Sequence, residues 1–150
     1  MTKTTIDAPA KPVTVFAEGS WDMMHYNHIE FLCECKSMGD RLVVGVVSDK
    51  SVASYKRSPV LTEQERLRTI QALPFVDEAF IYDGPFTGEV HDALCQRTSA
   101  DIVVYGSPGF DDYYAPSIAA GRFRRLDYRK GLSSSEIIKR IATRVRDGDI

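Results

Sequence analysis

Short β-prone runs recur along the chain and are separated by longer segments with helical spacing. Aliphatic stretches at Leu42–Val47 and Ile102–Tyr105 are almost unbroken, which is typical of strands buried on both faces of a parallel sheet. Val13–Ala17 and Val76–Tyr82 are similar runs, and Arg122–Tyr128 is a weaker one. The pattern therefore predicts about five strands.

The segments between these strands carry helix signals. Apolar residues recur at helical spacing from Met24 to Met38, and Thr62 followed by Glu65 forms a capping-box pattern. The predicted helices are Met24–Met38, Thr62–Leu73, Thr87–Arg97 and Ser133–Arg146. Ser48–Leu61 is predicted to be a polar loop, and Phe110–Ala120 an irregular or partly helical connection.

Strands that alternate with helices predict an α/β fold with right-handed crossovers and a parallel sheet. A length of 150 residues fits one domain, which we place at residues 13–150 after a flexible tail at 1–12. The tail lacks the apolar run of a signal peptide, and no stretch approaches the ~20 apolar residues of a membrane span. We therefore expect a cytoplasmic protein without membrane insertion.

Charge and cysteine content narrow the possible partners. The formal net charge of −2 gives no global field that would attract nucleic acid. A local basic patch near the C-terminal end favours a small anion, and its members are Arg122, Arg124, Arg125, Arg129 and Lys130. The chain has 3 cysteines without C-x-x-C spacing, so neither a disulfide framework nor a zinc site is expected.

Ligands of parallel α/β sheets bind beyond the carboxyl ends of the strands, near helix N-termini. Four segments are predicted to reach that edge: Glu18–His28, the loop around Lys56, the turn after Tyr105, and Arg129–Ser135. The first contains His25 and His28, which lie three apart at the start of a helix and so share one face. Imidazole N–H donors over the positive end of a helix dipole suit a triphosphate. Two ordinary histidines, or a metal site, would give the same spacing.

Several ordered motifs resemble those of the cytidylyltransferase family. The segment Glu18–Leu32 resembles the family's H-x-G-H signature region, most closely in its phosphoethanolamine and phosphocholine branch. Further similar segments are Gly39–Val46 with Asp49, Lys56–Val60 with Glu65-Arg66, Val76-Asp77-Glu78, Tyr114–Phe123, and Gly131–Ile138, which is similar to R-T-E-G-I-S-T-T-x-I/L. The resemblance covers about residues 13–142. It implies a Rossmann-like nucleotidyltransferase fold and transfer of CMP from CTP to a small phosphate or phosphonate.

The resemblance also implies roles for individual residues. His25 and His28 would hold the triphosphate, and Lys56 would reach the phosphates of both substrates. Arg66 would grip phosphate in a bidentate fork, with a surface ion pair to a glutamate as the alternative. The other predicted nucleotide contacts are Gly19, Ser20, Trp21, Asn27, Gly106, Arg129, Ser133, Ser134 and Ser135, where helix capping alone also explains the serines. The predicted acceptor contacts are Glu18, Asp22, Lys56 and Tyr114.

Three positions depart from the family pattern. Asn27 stands where the signature has glycine, Tyr128 replaces the arginine of R-T-E-G, and Ser107 follows Gly106 where aspartate is usual. Asn27 must point away from the nucleotide or contact it. Arg129 is a neighbouring cation that could take over a phosphate contact.

The acceptor is the least determined part of the prediction. Glu18 would pair with a cationic head group, and Trp21, Tyr113 and Tyr114 could form an aromatic wall for it, although core packing also explains them. We expect a phosphoethanolamine-like acceptor, with a 2-hydroxyethylphosphonate-like one as competitor, Mg²⁺ with the CTP, no protein-held metal, and a homodimer. The alternatives are an ATP-dependent adenylyltransferase, such as a small FAD synthetase, and a non-catalytic nucleotide-binding regulator. His91, on an outer helix, is expected to be solvated.

Overall fold

A computed structural model of the chain describes residues 10–150. Within that range five parallel strands form one sheet in the order β3-β2-β1-β4-β5. Their bounds are β1 Thr14–Gly19, β2 Arg41–Val47, β3 Glu78–Tyr82, β4 Ile102–Tyr105 and β5 Phe123–Arg125. The predicted α/β fold with a five-stranded parallel sheet is confirmed. Residues 1–9 of the predicted tail lie outside the described residues.

Helices connect the strands and follow the last one. Their bounds are α1 Tyr26–Ser37, α2 Asp49–Ala53, α3 Glu63–Gln71, α4 Gly88–Thr98, α5 Asp111–Ala119 and α6 Ser134–Asp147. The capping box of α3 is formed as predicted, with the Glu65 N–H donating to Thr62 Oγ1 at 3.3 Å and the Thr62 N–H donating to Glu65 Oε2 at 2.8 Å. Of these helices, none is long and apolar enough to cross a membrane.

Two connections are more regular than the sequence pattern indicated. The predicted polar loop contains α2, a 5-residue helix capped by Ser48, whose hydroxyl accepts the Ser51 N–H. So short a helix has no apolar period to detect. The predicted irregular connection is the 9-residue helix α5, which contains Pro116. Its first-turn Asp111 and Asp112 interact favourably with the helix dipole.

The core lies on both faces of the sheet because alternate strand residues point to opposite sides. On β1, Phe16 packs with residues of α4 and α5, whereas Val15 and Ala17 pack with residues of α1 and α3. These three side chains are fully buried. Helix α6 differs, because it buries none of its residues.

The order of the strands positions the site. β1 pairs with β2 on one side and with β4 on the other. The chain therefore reverses its direction of progress across the sheet between β3 and β4. In such sheets the crevice beyond the carboxyl ends of the two central strands is where ligands bind.

Candidate functional site

A cavity of about 420 Å³ opens at this crevice, beyond the carboxyl ends of β1, β2 and β4. Every predicted site residue except Arg66 lines it. The β1–α1 loop, the segment after α2, the turn after β4 and the start of α6 all contribute to its wall. The sheet edge thus brings together the segments that the sequence placed there.

The cavity has two chemically different parts. The histidine end consists of His25, His28 and the N-terminus of α6. The aromatic compartment surrounds Glu18 and is formed by Tyr55, Tyr82, Phe86, Tyr105, Phe110, Tyr113 and Tyr114. Most of these rings contact one another edge to face, as between Tyr55 and Phe86 at 5.1 Å.

The two histidines form a stacked pair at the start of α1. Their ring centroids lie 3.9 Å apart with an interplanar angle of 21°. His25 is the N-cap residue, and its backbone N–H donates to Nδ1 of His28 at 3.4 Å. Because Nδ1 of His28 accepts this hydrogen bond, the neutral ring carries its proton on Nε2.

Burial keeps both rings uncharged at neutral pH. It lowers the pKa of His28 to about 4, with smaller effects from the charges of His25 and Lys56. Burial also lowers the pKa of His25. The pair therefore offers N–H donors without a positive charge of its own.

The loop that carries the pair is held in an unusual backbone conformation. Trp21 and Met23 have φ angles of 56° and 47°, which L-residues adopt only at a cost. The Trp21 indole is buried, and its Nε1 donates to the Gly45 carbonyl at 2.9 Å. A Cβ at Gly19 would lie 3.1 Å from the Trp21 ring, so this position favours glycine. The buried Trp21 ring and the glycine at position 19 thus determine the conformation of the loop that carries the histidine pair.

Lys56 lies between the two parts of the cavity. Its Nζ donates to Ser20 Oγ at 2.9 Å and lies 5.5 Å from the centre of the Tyr55 ring. Burial lowers the pKa of Lys56, and the adjacent charge of Arg57 lowers it further. A group placed at Lys56 would therefore be near both the histidine end and the aromatic compartment.

Asp22, predicted to contact an acceptor, is occupied by the protein instead. Its carboxylate accepts the N–H groups of Val60 at 2.9 Å and Leu61 at 3.0 Å, and pairs with Arg57 at 3.1 Å. Burial alone would raise the pKa of Asp22, but these donors outweigh it and lower the pKa below its usual value. Asp22 lines the cavity as the anchor of the segment that follows Lys56.

We expect Asp22→Asn to lower the free energy of unfolding by about 2 kcal/mol, because the amide turns a donor towards backbone donors. Urea denaturation measures this loss, and trypsin should cleave faster after Lys56 or Arg57. Asp127→Asn is the matched control, since Asp127 is exposed and lines the same cavity. Equal losses in the two variants would contradict the anchoring role.

Arg66 does not line the cavity where its phosphate contact was predicted, and its ion pair is with an aspartate rather than a surface glutamate. The side chain is fully buried. Its guanidinium donates to the carbonyls of Leu61, at 3.2 Å, and Ser20, and pairs with Asp49 Oδ1 at 2.7 Å. Arg66 thus ties α3 to the β1–α1 loop and to α2.

Asn27 and two of the serines connect α1 to the start of α6. Asn27 Nδ2 donates to the Leu132 carbonyl at 2.7 Å, so the residue that departs from the family glycine fastens the segment before α6. Ser133 caps α6 by accepting the Glu136 N–H at 3.1 Å, and Ser134 Oγ donates to the Asp22 carbonyl at 2.6 Å. Ser135 is exposed at the cavity wall. Structural contacts therefore occupy the Asn27 amide and the Ser133 and Ser134 hydroxyls.

Arg129 and Gly106 also line the cavity, and each makes a contact with α1. Arg129 pairs with Glu34 and, at 3.4 Å, with Glu30 on the outer face of α1. A Cβ at Gly106 would lie 2.8 Å from the Phe31 ring, so glycine allows this turn to pack on α1.

Glu18 lies at the floor of the aromatic compartment. The residue is buried, and its Oε2 accepts the Tyr113 hydroxyl at 2.7 Å. Burial, followed by the Glu18 charge, raises the pKa of Tyr82 and Tyr114 well above the usual value, so both remain neutral. One carboxylate thus faces a compartment walled by aromatic rings.

Sequence reasoning missed most of this compartment and misplaced one residue. Tyr55, Phe86 and Phe110 come from three separate connections, and no local pattern links them. His91, expected to be solvated, is fully buried. The weak amphipathic pattern of α4 concealed which of its faces packs on the sheet.

Among residues 10–150, no group of three or more His, Cys, Asp or Glu side chains is arranged to hold a metal ion. Two of the carboxylates that line the cavity have other partners, with Asp22 bound to the segment after Lys56 and Glu18 bound to Tyr113.

Comparison with known families identifies the chain's relatives. Residues 16–140 match the family described as cytidylyltransferase-like. The chain belongs to the cytidylyltransferase-like family. This match confirms the family that the sequence motifs predicted.

Two relatives and one solved structure show which proteins the chain is similar to. It is 36% identical over 147 residues to the ethanolamine-phosphate cytidylyltransferase of Arabidopsis thaliana, covering 93% of this chain and 35% of that protein. It is 34% identical over 145 residues to choline-phosphate cytidylyltransferase A of Homo sapiens, covering 93% and 38%. A lipopolysaccharide core biosynthesis protein from Thermoplasma volcanium GSS1 superposes with a TM-score of 0.66 at 26% identity, covering 80% of this chain and 100% of that one. The chain spans less than half the length of the curated relatives it matches.

Proposed function

We propose that this chain transfers CMP from CTP to the phosphate of a phosphoethanolamine-like acceptor and releases pyrophosphate. The proposal is carried by one cavity in which an uncharged histidine pair at a helix N-terminus lies beside a carboxylate in an aromatic compartment. The named relatives act on ethanolamine phosphate and choline phosphate, according to their names, which supports an acceptor of this class.

The histidine end suits the triphosphate. The N-termini of α1 and α6 both reach the cavity, so the positive ends of two helix dipoles face it. The Nε2–H of His28 is the donor that can reach an oxygen on the α-phosphorus. Such a donor stabilises the transition state more than the ground state, because negative charge builds up on those oxygens during the reaction.

The aromatic compartment suits a cationic head group. Aromatic faces attract an ammonium, and the Glu18 carboxylate adds a direct charge interaction. Lys56, between the two parts, would then meet the acceptor's phosphate and hold it near the nucleotide. The acceptor's two charges would thus each have an opposite charge in the cavity.

The reaction follows from this placement. An oxygen of the acceptor phosphate attacks the α-phosphorus of CTP, and the bond from that phosphorus to the pyrophosphate oxygen breaks. The attacking oxygen is already an anion, so no base has to remove a proton. The protein's contribution is to position both substrates and to stabilise the developing charge.

Mg²⁺ is proposed to enter with the nucleotide. Phosphate oxygens and water are its usual ligands in such sites, and the described residues provide no carboxylate cluster for a resident ion. The ion would therefore be held chiefly by the triphosphate. The homodimer and the cytoplasmic location expected above stay predictions.

A turnover assay tests the proposal. The protein is given CTP or ATP with Mg²⁺ and, in turn, phosphoethanolamine, phosphocholine and 2-hydroxyethylphosphonate, while pyrophosphate and the nucleotidylated product are measured. We expect product with CTP and phosphoethanolamine at a kcat/KM at least about tenfold above that with 2-hydroxyethylphosphonate, because a hydrogen bond to a charged group contributes about 1.5–3 kcal/mol.

Three other results would overturn parts of the proposal. Faster turnover with ATP would indicate an adenylyltransferase. A preference for 2-hydroxyethylphosphonate would remove the amine and keep the cytidylyl transfer. CTP binding without product across the panel would favour a nucleotide-binding regulator.

A further inference from the structure

His91, a buried histidine outside the cavity wall, lies against the carboxylate of Glu18. His91 is on α4, its side chain is fully buried, and the rings of Tyr113 and Tyr114 pack on it at 4.8 and 5.0 Å. Nε2 of His91 lies 2.8 Å from Ser117 Oγ and 3.4 Å from Cys95 Sγ. The imidazole is thus fixed by the packing of α4 against α5.

The other ring nitrogen faces Glu18. Nδ1 of His91 lies 3.5 Å from Glu18 Oε1. Both atoms are buried, and within residues 10–150 neither has a hydrogen-bond partner. The second carboxylate oxygen is already bound to Tyr113. Each of these two atoms can therefore serve as the hydrogen-bond partner of the other.

The position of the proton follows from this arrangement. A lone pair on Nδ1 would face a carboxylate oxygen and repel it, whereas an N–H at Nδ1 would satisfy both buried groups. Ser117 accepts from Arg122 Nε at 3.2 Å and serves Nε2 whether that nitrogen donates or accepts. Burial alone would lower the pKa of His91, but contacts with Cys95 and Glu18 outweigh it and raise the pKa to about 9. At neutral pH the ring is then an imidazolium, with a proton on Nδ1 as well as on Nε2.

We propose that His91 is a positioning residue that orients the Glu18 carboxylate towards the acceptor's amine. The inference rests on the proposed function, since it assigns Glu18 to the acceptor. A buried carboxylate without donors is costly and turns towards any available partner. The Nδ1–H of His91 faces one oxygen of the carboxylate and the Tyr113 hydroxyl donates to the other, so the two together fix its orientation within the aromatic compartment.

Two amide variants separate positioning from packing. In His91→Asn the side-chain amide nitrogen takes the place of Nδ1 and can still donate to Glu18. In His91→Gln it takes the place of Nε2, so the contact with Ser117 is kept and the contact with Glu18 is lost. We expect His91→Gln to raise the KM for phosphoethanolamine about tenfold, equivalent to about 1.4 kcal/mol, with kcat and the KM for CTP nearly unchanged. His91→Asn should retain most of the acceptor affinity.

A double-mutant cycle with Glu18→Gln completes the test. If His91 acts through Glu18, His91→Gln should add less than about twofold to the acceptor KM once the carboxylate is gone. If the two amide variants instead show the same fall in kcat and the same rise in both KM values, His91 has only a packing role and the proposal is overturned. An undiminished effect of His91→Gln in the Glu18→Gln protein would do the same.

A spectroscopic measurement keeps the test independent of turnover. The ¹⁵N shifts of the His91 ring in the wild-type protein should show a protonated Nδ1, and Glu18→Gln should change that signal. An unprotonated Nδ1 would overturn the contact itself. Absence of turnover with every amine-bearing acceptor would instead overturn the proposed function, so the two failures are distinguishable.

Discussion

Replacing His28 with asparagine should lower kcat by at least about 100-fold, the usual cost of one lost transition-state donor. Asparagine can keep the contact with the His25 backbone N–H, because its side-chain oxygen can lie where Nδ1 lies. It cannot reach as far as Nε2, so the donor aimed at the α-phosphoryl oxygens is removed. Single-turnover kinetics with saturating CTP and acceptor measures the effect on the chemical step.

The matched control is His28→Gln, whose amide nitrogen reaches the position of Nε2. We expect it to retain more kcat than His28→Asn, and both variants should fold. The wild-type pKa of about 4 adds a second measurement. Between the usual histidine pKa and 4 the unfolded chain binds more protons, so wild-type stability falls as pH is lowered through that window. Both variants should lose less stability there. A His28→Asn enzyme with near wild-type kcat would remove the histidine pair from the mechanism.

Lys56→Met should lower kcat/KM for the acceptor about 10- to 100-fold, because one charged hydrogen bond contributes about 1.5–3 kcal/mol. Methionine keeps much of the aliphatic stem that packs near Tyr55 and removes the charge that would meet the acceptor phosphate. Steady-state kinetics with acceptor varied at saturating CTP measures this loss.

Lys56→Arg is the control that keeps the positive charge but changes the shape of the charged group. Its planar fork is a poorer fit to the Ser20 hydroxyl, so we expect an intermediate loss. Arg57→Met is a second control, since Arg57 lines the same cavity but its guanidinium pairs with Asp22. An Arg57→Met loss as large as that of Lys56→Met would mean that general charge, rather than the position of Lys56, controls the rate.

Much of the fold was predictable because its signals are local. The aliphatic run at Ile102–Tyr105 coincides with β4, and Thr62 and Glu65 form the capping box that their spacing predicts. The elements that were missed have weak local signals. Helix α2 is too short for a period, and Pro116 obscures α5.

For the site residues as well, those with a local signal were predictable and those that depend on distant contacts were not. His25, His28 and Lys56 were predicted from short stretches of chain, and the sheet topology brings all three to one cavity. The partner of a buried polar side chain depends instead on residues far away along the chain. Asp22 and Arg66 were assigned to ligands for this reason, although Val60, Leu61 and Asp49 occupy them. The burial of His91 depends on the packing of α4 against α5, which no single segment of the sequence specifies.

The position of Trp21 has an optical consequence. The chain has 1 tryptophan, and its ring centroid lies 5.7 Å from that of His28, edge to face. All indole emission from the protein therefore originates beside the histidine pair. An uncharged imidazole leaves that emission bright, whereas an imidazolium quenches it. A triphosphate at the histidine end would favour the imidazolium through its negative charge. We therefore expect the intrinsic fluorescence of the unmodified protein to fall when a triphosphate fills the histidine end.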